Sequence, residues 1–352
     1  MNCKMRRFFL VCCVALSCCV AYISDSRALS PTEMDGIDVL LSWLPADTET
    51  ITVANGPFWM SDFQLSDKEQ QQQSISVQNL EKAFQLETLG LFNLKKSNLE
   101  KHLERQKLLL AVEGSRRFRS PTGLGSFLFE GCEIAVFADD MSDRGSFFGK
   151  ESSNAALRVE DIDGLKVAVF QDRLEEDTWT TFVAFPSKKV VVVATNEGYL
   201  REVLARMRGV KGTRALPDSL PEWKYVNKKS PFWGLRHFDK SQSREDLTSP
   251  FRGDGAYGIP DTQAIGITFA ANPAESRSAT VTYLSNNQNI LLIVSEHLFP
   301  IELMNEGGKE LKARYRMVER GVVQGSFDLS NTQSVGIFLL VLMVQLGHAV
   351  NI

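Results

Sequence analysis

Leu157-Arg158-Val159-Glu160-Asp161-Ile162-Asp163-Gly164-Leu165-Lys166-Val167-Ala168-Val169-Phe170 decides the fold class. Two runs rich in apolar residues, Leu157 to Ile162 and Leu165 to Phe170, flank Asp163-Gly164. A two-residue hairpin turn of the favoured type needs positive φ at both central positions, and Asp-Gly tolerates it, so the stretch predicts an antiparallel hairpin. A second hairpin follows, from Thr178 to Phe185 and Val190 to Ala194 around Pro186-Ser187-Lys188-Lys189. Asn196 is then placed to cap a helix with a buried stripe of Leu200, Val203, Leu204 and Met207, ended by Gly209.

Toward the N-terminus, Pro31 to Asp47 is a lead-in segment with the apolar block Val39, Leu40, Leu41, Trp43 and Leu44. Thr50 to Ala54 alternates as a strand and Asn55-Gly56-Pro57 stops it. Val77, Leu80 and Phe84 predict a helix ending near Gly90, and Ser97-Asn98-Leu99-Glu100 a capping box that opens another. Leu108 to Val112 and Ile134 to Phe137 read as strands. Toward the C-terminus, strands are expected at Phe232 to Phe238, Ala264 to Phe269, Thr280 to Leu284, Ile290 to Val294 and Val322 to Leu329. A helix is expected after Gly308, with Leu311, Tyr315 and Val318 on one face. The reading is therefore α+β: antiparallel and β-rich, in two similar-sized halves, each with strands and packing helices. Pro217 to Pro221 is the natural boundary, giving domains 29–216 and 217–352 behind a leader of residues 1–28. Each half runs from an early strand through antiparallel pairs to a late helix, a plan that suits duplication, without a residue-level repeat.

The leader has the layout of a secretory signal. Lys4, Arg6 and Arg7 precede the uncharged stretch Phe8 to Ile23, and Ser26-Arg27-Ala28 offers small residues for cleavage. Val14-Ala15-Leu16-Ser17-Cys18 allows a second route, acylation at Cys18 in a lipoprotein-like box, and an uncleaved anchor is a third. Each route puts the body outside the cytoplasm: periplasmic, secreted or held at a membrane. Val335 to Val344 is almost wholly apolar but shorter than the roughly 20 residues that span a bilayer, so a buried terminal element is expected there. A membrane-associated tail is the alternative.

Five of the 6 cysteines lie in the leader, so Cys132 alone remains in the body, where it is expected to be a small buried apolar residue. No internal disulfide is then available to the body, and its core must hold it. Removing Lys4, Arg6, Arg7, Arg27 and Asp25 from the 39 basic and 43 acidic residues leaves 35 and 42, a net of −7. A mildly acidic body argues against nucleic acid as a partner, because phosphate binding needs a basic surface.

Signatures of common chemistries fail on spacing. Gly145-Ser146-Phe147-Phe148-Gly149-Lys150 has three residues between its glycines where a phosphate loop needs four, and Glu151 stands where Ser or Thr should. Gly123-Leu124-Gly125 lacks the third glycine of a dinucleotide site, and Asp161 to Gly164 lacks the first and last ligands of a calcium loop. The four histidines, His102, His237, His297 and His348, are dispersed, so neither a metal nor another cofactor is indicated.

Two stretches carry candidate sites. Arg116, Arg117 and Arg119 before Ser120-Pro121-Thr122-Gly123 are expected on a loop, where guanidinium groups could hold an anion. Trp223, Tyr225, Phe232, Trp233 and Phe238 are interleaved with Lys224, Lys228, Lys229, Arg236 and His237, ahead of the polar segment Asp239 to Asp261. The candidate ligand-binding set is Trp223, Tyr225, Trp233, Arg236, His237 and Asp239. Packing of the Trp and Phe rings in a second core is the competing expectation, and the stronger one. His237 with Asp239, Asp254 or Asp261 could form an acid–base pair.

Leu44-Pro45-Ala46-Asp47-Thr48, leading into Thr50 to Ala54, resembles the opening of a group of uncharacterised exported bacterial proteins. The resemblance covers residues 44–54 and implies export, with no chemistry attached. The expected function is a non-catalytic envelope or extracytoplasmic protein that binds a ligand or protein partner. The alternatives are an exported hydrolase using His237 with a nearby Asp, and a membrane-tethered structural interaction protein.

Overall fold

The computed structural model describes residues 36–55, 108–119, 127–140, 156–174, 177–238, 263–272, 276–293, 314–329 and 338. Helix α1 (Ile37–Trp43) leads into strand β1 (Thr50–Asn55). There follow β2 (Leu108–Arg119), β3 (Phe127–Phe137), β4 (Ala156–Ile162), β5 (Leu165–Leu174), β6 (Asp177–Ala184), β7 (Val190–Ala194) and helix α2 (Glu197–Met207). A 3-10 turn (Pro221–Tyr225) precedes β8 (Phe232–His237), β9 (Ala264–Asn272), β10 (Ser278–Ser285), the short helix α3 (Ile290–Ile293), β11 (Arg314–Glu319) and β12 (Val322–Asp328).

All 12 described strands join one antiparallel sheet in the order β11-β12-β10-β9-β8-β1-β2-β3-β7-β6-β5-β4. The halves on either side of residue 217 meet at the β1–β8 pair, where Thr50 lies opposite Arg236 and Val53 opposite Trp233. Outward from that pair the order is β2-β3-β7-β6 on one side and β9-β10-β12-β11 on the other, with β5 and β4 added to the first. The strand plan is thus repeated about the centre of the sheet.

Strand β7, Val190 to Ala194, explains how the sheet is layered. All five of its residues are buried, as expected of a β-branched run covered on both faces. Val190, Val192 and Ala194 point to one face, where Leu40, Leu41, Trp43 and Leu44 from α1 and its exit pack with Tyr199, Leu200, Val203 and Leu204 of α2. Val191 and Val193 point to the other, among Ala111, Ala135, Phe137, Ala168, Phe170, Val183 and Phe185. The first is the helix face of the sheet and the second its opposite face. Helix α2 begins where Asn196 Oδ1 accepts from the Tyr199 backbone N–H at 3.1 Å. The Asp163-Gly164 hairpin forms as the sequence predicts, with φ of 54° and 78° at its two turn residues.

Four expectations are corrected. The architecture is predominantly β rather than α+β with packing helices in each half. The helix expected over Leu311, Tyr315 and Val318 is in part strand β11: Gly321, with φ of 77°, turns the chain tightly into Val322, and Arg314 to Glu319 pair with β12. Its three-four spacing is a coincidence overridden by that hairpin. Ile290 to Ile293 forms a helix instead of the expected strand. The arginines Arg116, Arg117 and Arg119 lie within strand β2, not on a loop, because β2 and β3 stay paired from Leu108–Phe137 out to Arg119–Phe127. The helices expected over Val77 to Gly90 and after Ser97, and the leader, lie outside the described residues. Of the apolar stretch Val335 to Val344, Phe338 is described; it is buried with its ring centroid 5.7 Å from that of Phe327.

Candidate functional site

The segment Pro217 to Pro221 feeds a tight 3-10 turn. Pro221 occupies its first positions, where a backbone N–H is not needed, and Trp223 N–H and Val226 N–H bond back three residues at 3.3 Å each. The turn sends its four consecutive side chains to different places. Glu222 drops onto the helix face of the sheet and is fully buried above Gly266. Any Cβ at 266 would overlap the Glu222 carboxylate and come within 2.6 Å of the Arg236 carbonyl oxygen, so a glycine is required there. Glu222 Oε1 lies 2.6 Å from His237 Nδ1, while Glu222 Oε2 has no hydrogen-bond partner among the described residues.

Trp223 is half-buried and already engaged. Its indole N–H donates to the Leu216 and Pro217 carbonyls, at 3.0 and 3.1 Å. The Arg214 guanidinium and the Lys228 ammonium lie 5.3 and 4.7 Å from its ring centroid. Its edge meets Trp233 at 6.2 Å. Lys224 and Tyr225 point outward and converge on Glu319, with Lys224 Nζ 2.7 Å from Glu319 Oε2 and the Tyr225 hydroxyl bonded to Glu319 Oε1. The ammonium, then the phenol, hold the Glu319 carboxyl below its ordinary range.

Beside the turn lies a cleft of about 520 Å³. Trp223, Lys224, Tyr225, Asn286, Glu319 and Arg320 are among the residues that line it. The structure therefore divides the aromatic and basic set. Trp223 and Tyr225 line the cleft. Trp233 is fully buried in the helix-face core. Arg236, buried, lies across from Thr50 on the opposite face, its guanidinium 4.7 Å from the Phe238 ring. His237 returns to the helix face and meets Glu222. Asp239, Asp254 and Asp261 lie outside the described residues, as does Cys18.

Arg116 is committed to carboxylates. Its guanidinium spans both Asp47 oxygens at 2.7 Å, Glu130 Oε2 at 3.0 Å and Glu202 at 4.0 Å, and it lies 5.1 Å from the Tyr199 ring centroid. Burial alone would lower its pKa, but the bonds to Asp47 and Glu130 outweigh that and raise it. The group ties the approach to β1 to β2, β3 and α2. Arg117 and Arg119 are placed on β2 by its backbone, with their side chains outside the description.

Two carboxyls within the sheet, one buried and one half-buried, were not legible as special in the sequence. Glu113 and Glu133 are directly opposite one another across β2 and β3. Glu133 is 6% exposed, and burial pushes its carboxyl up to about 8. The neighbouring Cys132 thiol is also buried, and burial pushes it up further from its ordinary value. Among the described residues no group of three or more His, Cys, Asp or Glu could hold a metal ion, and no helix is long and apolar enough to cross a membrane.

Sequence reasoning missed Glu222 and Glu319, although it singled out their partners. Glu222 stands between Pro221 and Trp223 in a stretch that reads as a boundary, and Glu319 sits just before the turn at Gly321; a charged residue in either setting is ordinarily solvated. No protein-family model matches the chain, and neither a curated protein nor a solved structure matches it.

Proposed function

We propose that the chain is an exported, non-catalytic protein that binds a ligand or protein partner, and that the cleft beside the 3-10 turn is its ligand site. The observation that carries this reading is the cleft: about 520 Å³, lined by the aromatic–basic run Trp223 to Tyr225 together with Glu319 and Arg320. That volume suits a small molecule, and few polar groups suffice to orient one. The Lys224–Glu319 pair is exposed, and exposed pairs contribute little in water, so a polar ligand can replace it at small cost. Thermal unfolding against a panel of sugars, amino acids and small carboxylates tests the proposal. A stabilising compound should lose its effect in Lys224→Ala and Glu319→Gln while the ligand-free midpoint stays put. A panel without any stabilising compound, or an effect unchanged in both variants, refutes it. Export is tested by the intact mass of the mature chain, which separates cleavage after Ala28, acylation at Cys18 and retention of the leader.

A second reading, an exported hydrolase acting through His237, is favoured by one observation. The imidazole lies 2.6 Å from a buried carboxylate, the arrangement that fixes a catalytic ring in position. The carboxylate is Glu222. Turnover of an ester or peptide that disappears in both His237→Gln and Glu222→Gln would replace the binding reading; absence of turnover in the unmodified chain would remove this one.

A further inference from the structure

The two outer strands of the sheet fit each other. Among the described residues, β11 pairs only with β12 and β4 only with β5, so each presents one open ladder edge. An open edge is a template for another strand. Among the described residues five large hydrophobics are exposed, and three of them sit on these two strands: Val159 on β4, and Met317 and Val318 on β11. They are 44, 45 and 45% exposed.

Parity decides how the edges can meet. From β11 to β4 there are 12 described strands, each antiparallel to its neighbours, so β11 and β4 run in opposite directions. A second copy that continues the sheet with the same face up, turned to follow its twist, therefore brings its β4 antiparallel to β11. The faces must match as well. Cross-strand partners carry Arg316 through Gln324, Thr282 and Thr268 to Leu235 on the helix face. They carry Glu160 through Val167 and Ala184 to Val192, on that same face. Met317 and Val159 accordingly lie on the opposite face.

We infer that β11 of one copy pairs with β4 of another, with Arg316 opposite Glu160 and Met317 opposite Val159, extending the sheet head to tail. Opposite charges meet on one face and exposed apolar side chains on the other, both of which stabilise antiparallel pairs. A one-residue slip inverts every side chain. A two-residue slip sets Arg316 against Arg158 in one direction, and Met317 against Asp161 in the other. The present partners, Glu160 for Arg158 and Gln324 for Arg316, belong to side chains at the surface, and exchanging them costs little. A bulge between Met317 and Glu319 interrupts the ladder and keeps the contact short, so the association is weak and concentration-dependent. The contact is heterologous, so each copy keeps one unused edge of each kind for a further copy.

The test traps the contact covalently. Full-length Val159→Cys and Met317→Cys chains are mixed, oxidised and digested, and linked peptides are identified by mass, which separates them from disulfides of the leader cysteines. Directly opposed strand residues have a Cα spacing that a disulfide bridges. Both positions are exposed, and matching melting curves for the two variants and the unmodified chain establish that they fold. The 159–317 link should exceed the 159–159 and 317–317 links several-fold. It should fall several-fold when the Met317→Cys chain also carries Arg316→Glu, and return when its partner carries Glu160→Arg. Symmetric links as abundant as the mixed one, no mixed link, or a swap that fails to restore it would each overturn the inference.

Discussion

Glu133→Gln should flatten the dependence of stability on pH. Glu133 is buried at the middle of the sheet, with Glu113 opposite on β2 and Val193 opposite on β7. Its Oε2 atom has no hydrogen-bond partner among the described residues. Burial raises the carboxyl from 4.5 to about 8, so between those values the folded chain keeps a proton that the unfolded chain has released. The sign follows from linkage: the folded state binds more protons, so stability falls as pH rises through this window. Below the unfolded value the carboxyl imposes no penalty, and the loss is complete once pH passes the folded value. Between about pH 5.5 and about pH 7.5 the loss from this one group is about 2 to 3 kcal/mol, at roughly 1.4 kcal/mol per unit where the two states differ by a full proton. Gln keeps the volume and cannot ionise. Urea unfolding of the unmodified chain and of the variant at a series of pH values reads the difference directly, with other titrating groups cancelling in the comparison. The two stabilities should diverge as pH rises, with the variant the more stable above neutrality. Parallel pH profiles would refute the reasoning and mean that Glu133 ionises in the fold with compensation.

Gly266→Ala should cost about 1 to 3 kcal/mol, because the new methyl would collide with Glu222 and with the Arg236 carbonyl; chemical denaturation measures the loss. Gly164→Ala makes a contrast: nothing lies within 4 Å, so only its φ of 78° is penalised, at about 1 kcal/mol. Tyr199→Phe removes a buried 2.7 Å hydrogen bond to the Thr48 hydroxyl and should cost about 1 to 2 kcal/mol in the same assay. Trp233→Ala should cost about 3 to 5 kcal/mol, as expected of a fully buried indole; an unchanged melting point would contradict its place in the core.

The hairpins were legible because they are local. Asp163-Gly164 declares its turn by backbone conformation alone, and β7 declares its burial by composition. The order of the strands was not legible. Nothing near Thr50 in sequence says that β1 lies between β2 and β8, since those pairings rest on many weak side-chain contacts with distant residues. Strand β2 read as ending before Arg116 because three arginines look solvated; Arg116 instead finds Asp47 and Glu130. Strand β11 read as helix because Tyr315 and Val318 have helical spacing, a pattern too short to outweigh a tight turn at Gly321. In the candidate site, the aromatic and basic residues stood out by composition. Their carboxylate partners did not, because a glutamate becomes part of a site only through what tertiary structure sets beside it.

The β1–β8 pair has a consequence for how the chain folds. Most neighbouring strands are close in sequence, so hairpins such as β4–β5 and β11–β12 close small loops and can form early. The pairing of Thr50 with Arg236 must wait until everything between them has been made. Until then β1 and β8 are themselves open edges at the middle of the future sheet. Docking of two part-built sheets along this seam is then the slow step. Changes at Ile51, Val53, Trp233 or Leu235 would act on the final closure, and a chain arrested before it would expose these four side chains, which the finished fold buries.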